Sequence, residues 1–269
     1  MADKFIKYED VLLTIADTDI LAESAEIGVE ASLQPLTNIT GAVIRYAPTG
    51  PVRGTLSFSH YCTGTFHDFL NPLTAIEHTG EPLVGSFGGV SFTRGYLRSL
   101  SFSLAPYAPI LFKSEIDIYG ELSIEQDDLN SSFKNNNMRT QTGLAHSLRS
   151  YVAGTDLKIN HKVAFDYSVS CSRNPSVDIG DEIPSRVTKE DVRINMTIAG
   201  EDVGDALSIT GNYAALNLYI ADVYDEEKIY GTFGCTGQIF NQNLAVREGG
   251  YIDGTISVSQ EYMTGRVFH

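Results

Sequence analysis

Val52-Arg53-Gly54-Thr55-Leu56-Ser57-Phe58-Ser59 puts Val52, Leu56 and Phe58 on one side of an extended chain and Arg53, Thr55, Ser57 and Ser59 on the other. Alternation with period two is the pattern of a strand buried on one face and wet on the other. It recurs along the chain. Leu100, Phe102 and Leu104 alternate with Ser99, Ser101 and Ser103. Ile116, Ile118, Leu122 and Ile124 share a face opposite Asp117, Tyr119, Glu121 and Ser123. Val192, Ile194, Met196 and Ile198 repeat the theme, as do Ile252, Ile256 and Val258. Strands with one wet face belong to antiparallel sheets, so the reading is a mainly β fold with a minor α component.

One stretch breaks the alternation. Between Thr65 and Gly80, the residues Phe66, Phe69, Leu70, Leu73 and Ile76 fall at helical spacing. Thr65 with Asp68 resembles a capping box and Gly80 suits the exit, while Pro72 shortens or kinks the helix. This is the expected flanking helix of the first domain. Its apolar stripe is a packing face.

Sliding the sequence on itself brings out an internal repeat. At an offset of 140, residues 29–64 lie over 169–204 without a gap: Val29 meets Val169, Ser32 Ser172, Pro35 Pro175 and Ile39 Ile179, and Val52-Arg53 falls on Val192-Arg193. The similar pairs Val43/Ile183, Leu56/Met196 and Phe58/Ile198 keep the strand phase. At an offset of 134, Ile110-Leu111-Phe112-Lys113 falls on Leu244-Ala245-Val246-Arg247, and Ile118, Gly120, Leu122 and Ile124 fall on Ile252, Gly254, Ile256 and Val258. Two matches in the same order predict two tandem β domains, 1–126 and 157–269. Between them, 127–156 is a polar linker or an arm that docks on a neighbouring subunit. Within it, Leu144, Leu148 and Tyr151 predict one amphipathic helix from Gly143 to Val152.

Composition bounds the chemistry. The chain has 269 residues, with 34 Asp and Glu against 19 Lys and Arg, a formal charge of −15. Phosphate-gripping proteins need a basic stripe, and Arg45, Arg53, Arg186 and Arg193 stand apart in an acidic background. Tight nucleic-acid binding is not expected. No run of about 20 apolar residues spans a bilayer, and the start from Met1 to Asp10 lacks the apolar stretch of a signal peptide. Glycosylation-type triplets at Asn38, Asn130 and Asn195 are therefore read as chance matches, and Cys62, Cys171 and Cys235 as reduced, mostly buried thiols.

Catalytic and metal-binding patterns are sparse. There is neither a Gly-rich phosphate loop ending in Gly-Lys-Ser/Thr nor a Gly-x-Ser-x-Gly turn. Gly80, Gly85, Gly88 and Gly89 read as hairpin chain. His60, Cys62 and His67 lack a fourth metal ligand. The acidic groups Asp17/Asp19, Asp178/Asp181/Glu182 and Asp225/Glu226/Glu227 lack calcium-loop spacing and read as solvated turns. No catalytic, cofactor-binding or metal residue is assigned, no cofactor is implied, and the chain is not read as an enzyme.

The repeated unit carries a resemblance. Tyr167-Ser168-Val169-Ser170-Cys171-Ser172-Arg173-Asn174-Pro175, then Ile179-Gly180, Ile183-Pro184 and the strand from Val192 to Ala199, resembles a bacteriophage tail tube domain, in which a Pro- and Gly-marked bend joins two long strands. The first copy is looser: Val29 to Pro35, Ile39-Thr40-Gly41, then Val52 to Ser59, departing at Gly50-Pro51 and lacking the Arg-Asn pair. The resemblance covers roughly 29–64, 100–124, 165–204 and 232–259. It implies two tandem β-sandwich or half-barrel domains. It also implies a structural virion protein, assembled in the host cytoplasm, whose stacked rings form the hollow tail tube that DNA passes through on ejection. Three two-domain chains would make one pseudo-sixfold ring. The implied partners are further copies of the chain, other tail proteins (baseplate, tail terminator, sheath or tape measure) and viral DNA in transit; no membrane partner is implied. The alternatives are a baseplate hub, distal tail or tail-completion protein of related fold, and a carbohydrate-binding β-sandwich module. A contractile tail is not distinguished from a non-contractile one.

Overall fold

The computed structural model describes residues 13–62, 82–105, 108–124, 147–152, 162–201, 213–221, 229–246 and 252–262. All regular secondary structure among them is strand. The first half holds β1 (Leu13–Ile15), β2 (Thr18–Ile20), β3 (Ala22–Glu30), β4 (Leu33–Thr37), β5 (Val43–Pro48), β6 (Arg53–Tyr61), β7 (Leu83–Phe87), β8 (Val90–Leu104), β9 (Leu111–Ile118) and β10 (Leu122–Ile124). The second holds β11 (Ser147–Val152), β12 (Lys162–Ser176), β13 (Arg186–Glu201), β14 (Tyr213–Ala221), β15 (Ile229–Val246) and β16 (Ile252–Tyr262). The expected helix at Thr65–Gly80 lies outside the described residues.

Fourteen strands form one sheet, ordered β11-β14-β15-β16-β13-β12-β8-β7-β1-β2, with β9 on β8, β6 on β9, β3 on β6 and β10 on β8. Among the described strands, only the β4–β5 hairpin stands apart. The halves meet strand to strand: β8 of the first pairs antiparallel with β12 of the second from Ser99↔Ser170 to Leu104↔Phe165. The long strand β8 can do this because β9 and β10 occupy one of its edges, and β7 takes the other only as far as Gly95. The tip between β7 and β8 is the two-residue turn Gly88-Gly89, both at positive φ, which fits the twist of a tight hairpin.

The alternating apolar residues make one core that runs through both halves. Leu56, Phe58, Phe112 and Ile116 join Phe165, Tyr167, Met196 and Val258 in a single buried cluster. Its centre is the seam itself. Phe102 of β8 lies 5.3 Å from Tyr167 of β12, 4.9 Å from Phe112 of β9 and 4.6 Å from Phe233 of β15, ring centre to ring centre. Because β15 is three pairings away from β12, the Phe233 contacts mean that the sheet curls over its own apolar face.

The two halves pair their strands in matching registers. Val29↔Gly54 and Ile27↔Leu56 in β3–β6 become Val169↔Ile194 and Tyr167↔Met196 in β12–β13 under a shift of 140 on both strands. A β-bulge falls between Ala22 and Ser24 in the first ladder and between Lys162 and Ala164 in the second, under the same shift. Two ladders along, past β6–β9 and β13–β16, β8–β9 bulges between Leu97 and Ser99, and β15–β16 between Ile239 and Asn241, a shift of 142.

Five sequence expectations need correcting. The strand in the position of β9 is β16 at a shift of 142, so Ile118 corresponds to Gln260 and not, as the offset of 134 placed it, to Ile252. From Gly143 to Val152, the described part is the edge strand β11 paired with β14; helical and strand readings of a short apolar run differ little, and the open edge of β14 decides the outcome. The run Ile116–Ile124 is two strands, divided at Gly120, whose backbone sits so close to Thr93 that a Cβ there would lie 2.2 Å from the Thr93 carbonyl oxygen. Asp117, expected on the wet face, is buried there under Arg53. Finally, Val52 is half exposed because Pro51 and Val52 fall in the break between β5 and β6.

Candidate functional site

Every second residue of the continuous sheet turns away from the core, and together these build a surface of small hydroxyls. From the first half come Ser57 and Ser59 of β6 and Ser99, Ser101 and Ser103 of β8; the second adds Ser168 and Ser170 of β12, Thr197 of β13 and Ser257 and Ser259 of β16. Serine and threonine suit this position because their hydroxyls bridge neighbouring strands. Ser24 and Ser59 are 2.7 Å apart across β3–β6. Ser103 donates to Asp166 across the seam at 2.6 Å. Thr197 donates to Ser257 at 3.0 Å, and Ser259 to Asn195 at 2.8 Å.

The arginines of this face are paired with carboxylates, while Lys113, opposite Ser59 and Ser101 in the ladders, stays exposed. Arg98 reaches Glu115 at 3.2 Å and Asp117 at 3.6 Å, Arg53 reaches Asp117 at 2.7 Å, and Arg193 reaches Glu261 at 2.8 Å. The hydrogen bond from Arg53 to the Asp117 carboxylate holds its guanidinium above the usual range, against the opposing pull of partial burial. Open depressions pit the surface, one at the seam by Ser101, Ser103, Asp166 and Ser168 and others by Glu26 and Glu115 and by Gln238 and Ser259. Arginines already committed to carboxylates are poor phosphate grips, and the hydroxyls between them bond one another or the carboxylates Glu115 and Asp166, so the floor is polar and carries acidic groups.

At the far end of β12, the second half clasps the first. Arg173, 9% exposed, donates from Nε to the Leu97 carbonyl at 3.1 Å, and its guanidinium lies 5.5 Å from the centre of the Tyr96 ring. Burial pushes the Arg173 guanidinium below its ordinary value. Arg94 donates back to the Pro184 carbonyl of the β12–β13 bend, and Tyr96, Tyr119 and Val187 form a small second cluster beneath it. Arg173 belongs to the Arg-Asn pair that the sequence marks in the second repeat and lacks in the first. The strand pattern carries no sign of what it holds. Asp117 likewise reads as a wet-face residue in sequence, and no pattern marks Arg94.

The residues with metal-like or acidic character are dispersed. His60 is buried, stacked between Phe58 and Phe112 at 5.8 and 5.4 Å, and Cys62 packs against the same core. His67 and the Asp225–Glu227 run lie outside the described residues. Asp178, Asp181 and Glu182 sit exposed on the β12–β13 bend, and Asp19 accepts from Thr14 in the β1–β2 turn. Among the described residues, no three His, Cys, Asp or Glu side chains converge on a point, and no helix is long and apolar enough to cross a membrane. Asn38 is taken up by its own turn, where its side-chain oxygen accepts from the amides of Thr40 and Ala42. All three cysteines are free thiols; burial raises Cys171 and pushes Cys235 up to about 12.

In sequence comparisons, no protein-family model and no curated protein matches the chain.

Proposed function

We propose that this chain is a structural tail tube protein: two tandem copies of one β unit, assembled head to tail into rings that stack into a hollow tube for viral DNA. The observation that carries this reading is the β8–β12 seam. Two successive units of one chain already join edge to edge into a continuous sheet with a polar face and an apolar one, which is the joint a ring of such units repeats. The matched registers and bulges of the two halves support the internal duplication. Each half is read as a half-barrel unit, and three chains give six units per ring.

The hydroxyl-lined face fits the role of the bore. DNA in transit needs a wall with few free cations, since each phosphate neutralised releases counterions and adds affinity, and Lys113 is the exposed lysine among the hydroxyls described. Arg53, Arg98 and Arg193 are each paired to a carboxylate, and part of the net charge of −15 facing inward repels the backbone over a Debye length of about 8 Å at physiological salt. Further proposed partners are the other tail proteins at the ends of the tube. The proposed location is the virion tail.

Negative-stain electron microscopy of the purified 29.4 kDa chain across a concentration series, with light-scattering mass on the same samples, tests the proposal. Hollow tubes of uniform width with three chains per ring are the expected result. Discrete rings that never stack transfer the chain to a hub or completion role. A monomer at every concentration, with specific glycan binding, overturns it.

A further inference from the structure

The internal seam has a counterpart that the single chain leaves open. Under the shifts of 140 and 142, the partners in the seam, β12 and β8, correspond to β3 and to the distal part of β15. Among the described residues, β3 pairs only with β6, and beyond Gln238, β15 pairs only with β16. Both strands thus present a free edge at the position where their counterparts are joined. Exposure follows the same rule. Val169 is 1% exposed inside the seam, while its counterpart Val29 is 60% exposed on β3. Phe102 is 3% exposed and its counterpart Leu244 is 40% exposed on β15.

We infer that β15 of one copy pairs antiparallel with β3 of a second copy in the register of the internal seam. Tyr167↔Phe102 maps to Ile27 of one chain opposite Leu244 of the other. The neighbouring pairs are Ala25 with Val246, Val29 with Gln242 and Glu30 with Asn241. No like charges meet, and the asparagine amide is placed to donate to the glutamate. The β4–β5 hairpin then takes the place of the Arg173 clasp and covers Leu33, Ile44 and Tyr46, all more than half exposed in the isolated chain. The contact is heterologous, so it propagates head to tail and ends only by closing into a ring. The inference rests on the repeat proposed above and not on a role in a tail.

Cysteine crosslinking reads the register directly. Directly opposed residues of an antiparallel pair have Cα atoms about 4.5–5.5 Å apart, within disulfide range. In a Cys62→Ser background, Ile27→Cys chains are mixed with Leu244→Cys chains and mildly oxidised, with Ile27→Cys plus Gln242→Cys as the offset control. The matched pair is expected to give a covalent heterodimer on the order of tenfold faster than the offset pair, since the interface holds both pairs together but only the directly opposed positions lie well within disulfide reach. The double variant Ile27→Cys/Leu244→Cys then yields covalent oligomers that end at the ring. Equal rates for the two pairs, or preference for the offset pair, overturn the register. Tubes or rings without the crosslink overturn this interface while leaving the tube reading standing. Crosslinked rings that never stack uphold the interface and fail the tube reading. A second variant, Val29→Asp, alters only a residue exposed in the single chain, so it is expected to leave a folded monomer by circular dichroism that no longer assembles; unchanged assembly counts against the proposal.

Discussion

Replacing Phe102 by alanine tests whether the two halves share one core or merely touch. The ring is 3% exposed and meets Phe112 of its own half and Tyr167 and Phe233 of the other, all within 5.3 Å. Core Phe→Ala changes cost roughly 3–5 kcal/mol, and three aromatic neighbours on both sides of the seam put this one at about 4 kcal/mol. At about 1.4 kcal/mol per factor of ten, opening equilibria that expose the core rise about a thousandfold. Hydrogen exchange followed by mass spectrometry resolves where. Because the ring ties β8 and β9 to β12 and β15, protection is expected to fall in β6 and β9 and equally in β13 and β16. Phe102→Leu, which keeps most of the volume, costs under about 1.5 kcal/mol and serves as the control. Faster exchange confined to β6, β8 and β9, with β13 and β16 unchanged, refutes the shared core.

Three further outcomes follow from particular contacts. Arg173→Ala leaves the buried Leu97 carbonyl without its guanidinium donor, a loss of about 1–3 kcal/mol; limited proteolysis in the 177–185 bend is expected to accelerate, and Arg173→Lys to restore only part because it lacks the planar fork. Burial holds the Cys235 thiol at about 12, above its usual 9.0, so the unfolded chain releases this proton first and stability falls between those two values. The loss approaches about 1.4 kcal/mol per pH unit; Cys235→Ala is expected to flatten that alkaline limb in a urea series, and an unchanged slope contradicts it. Gly237→Ala drives a Cβ to 1.9 Å from the Ser259 carbonyl oxygen, whereas Gly50 has open space around it. The first is expected to break the β15–β16 ladder and lower the melting temperature sharply. Gly50→Ala stays within about 0.5 kcal/mol of the parent.

What the sequence reveals here is what repeats with period two. Leu56, Phe58, Leu100, Phe102, Ile194 and Met196 are buried as their alternation predicts, because the face of a strand is a local property. The offset of 140 is legible for the same reason, since without any gap it lays β3 and β6 over β12 and β13, which pair in the same register. The counterpart of β9 is not legible because alternating strands match one another at any even shift; only the ladder, with bulges at Arg98 and Phe240, fixes the offset at 142. Asp117 and Arg173 were illegible for another reason. Their partners, Arg53 and Leu97, are 64 and 76 residues away, and no periodicity reports a contact between strands that meet only in the folded sheet. The hydroxyl face was visible strand by strand as Ser99, Ser101 and Ser103, yet its continuity across both halves depends on the seam.

The paired bulges have a mechanical consequence. A flat ladder pulled along its strands fails by sliding, two residues at a time, since each such step restores both the hydrogen bonds and the facing of the side chains. An extra residue on one strand has no seat at the next step, so a bulge acts as a ratchet tooth against sliding. This chain carries such teeth at Val163 and Arg98, on the two ladders flanking the seam, and again at Glu23 and Phe240 further out in each half. A sheet built from these ladders resists shear along its strands, yielding only when whole ladders tear.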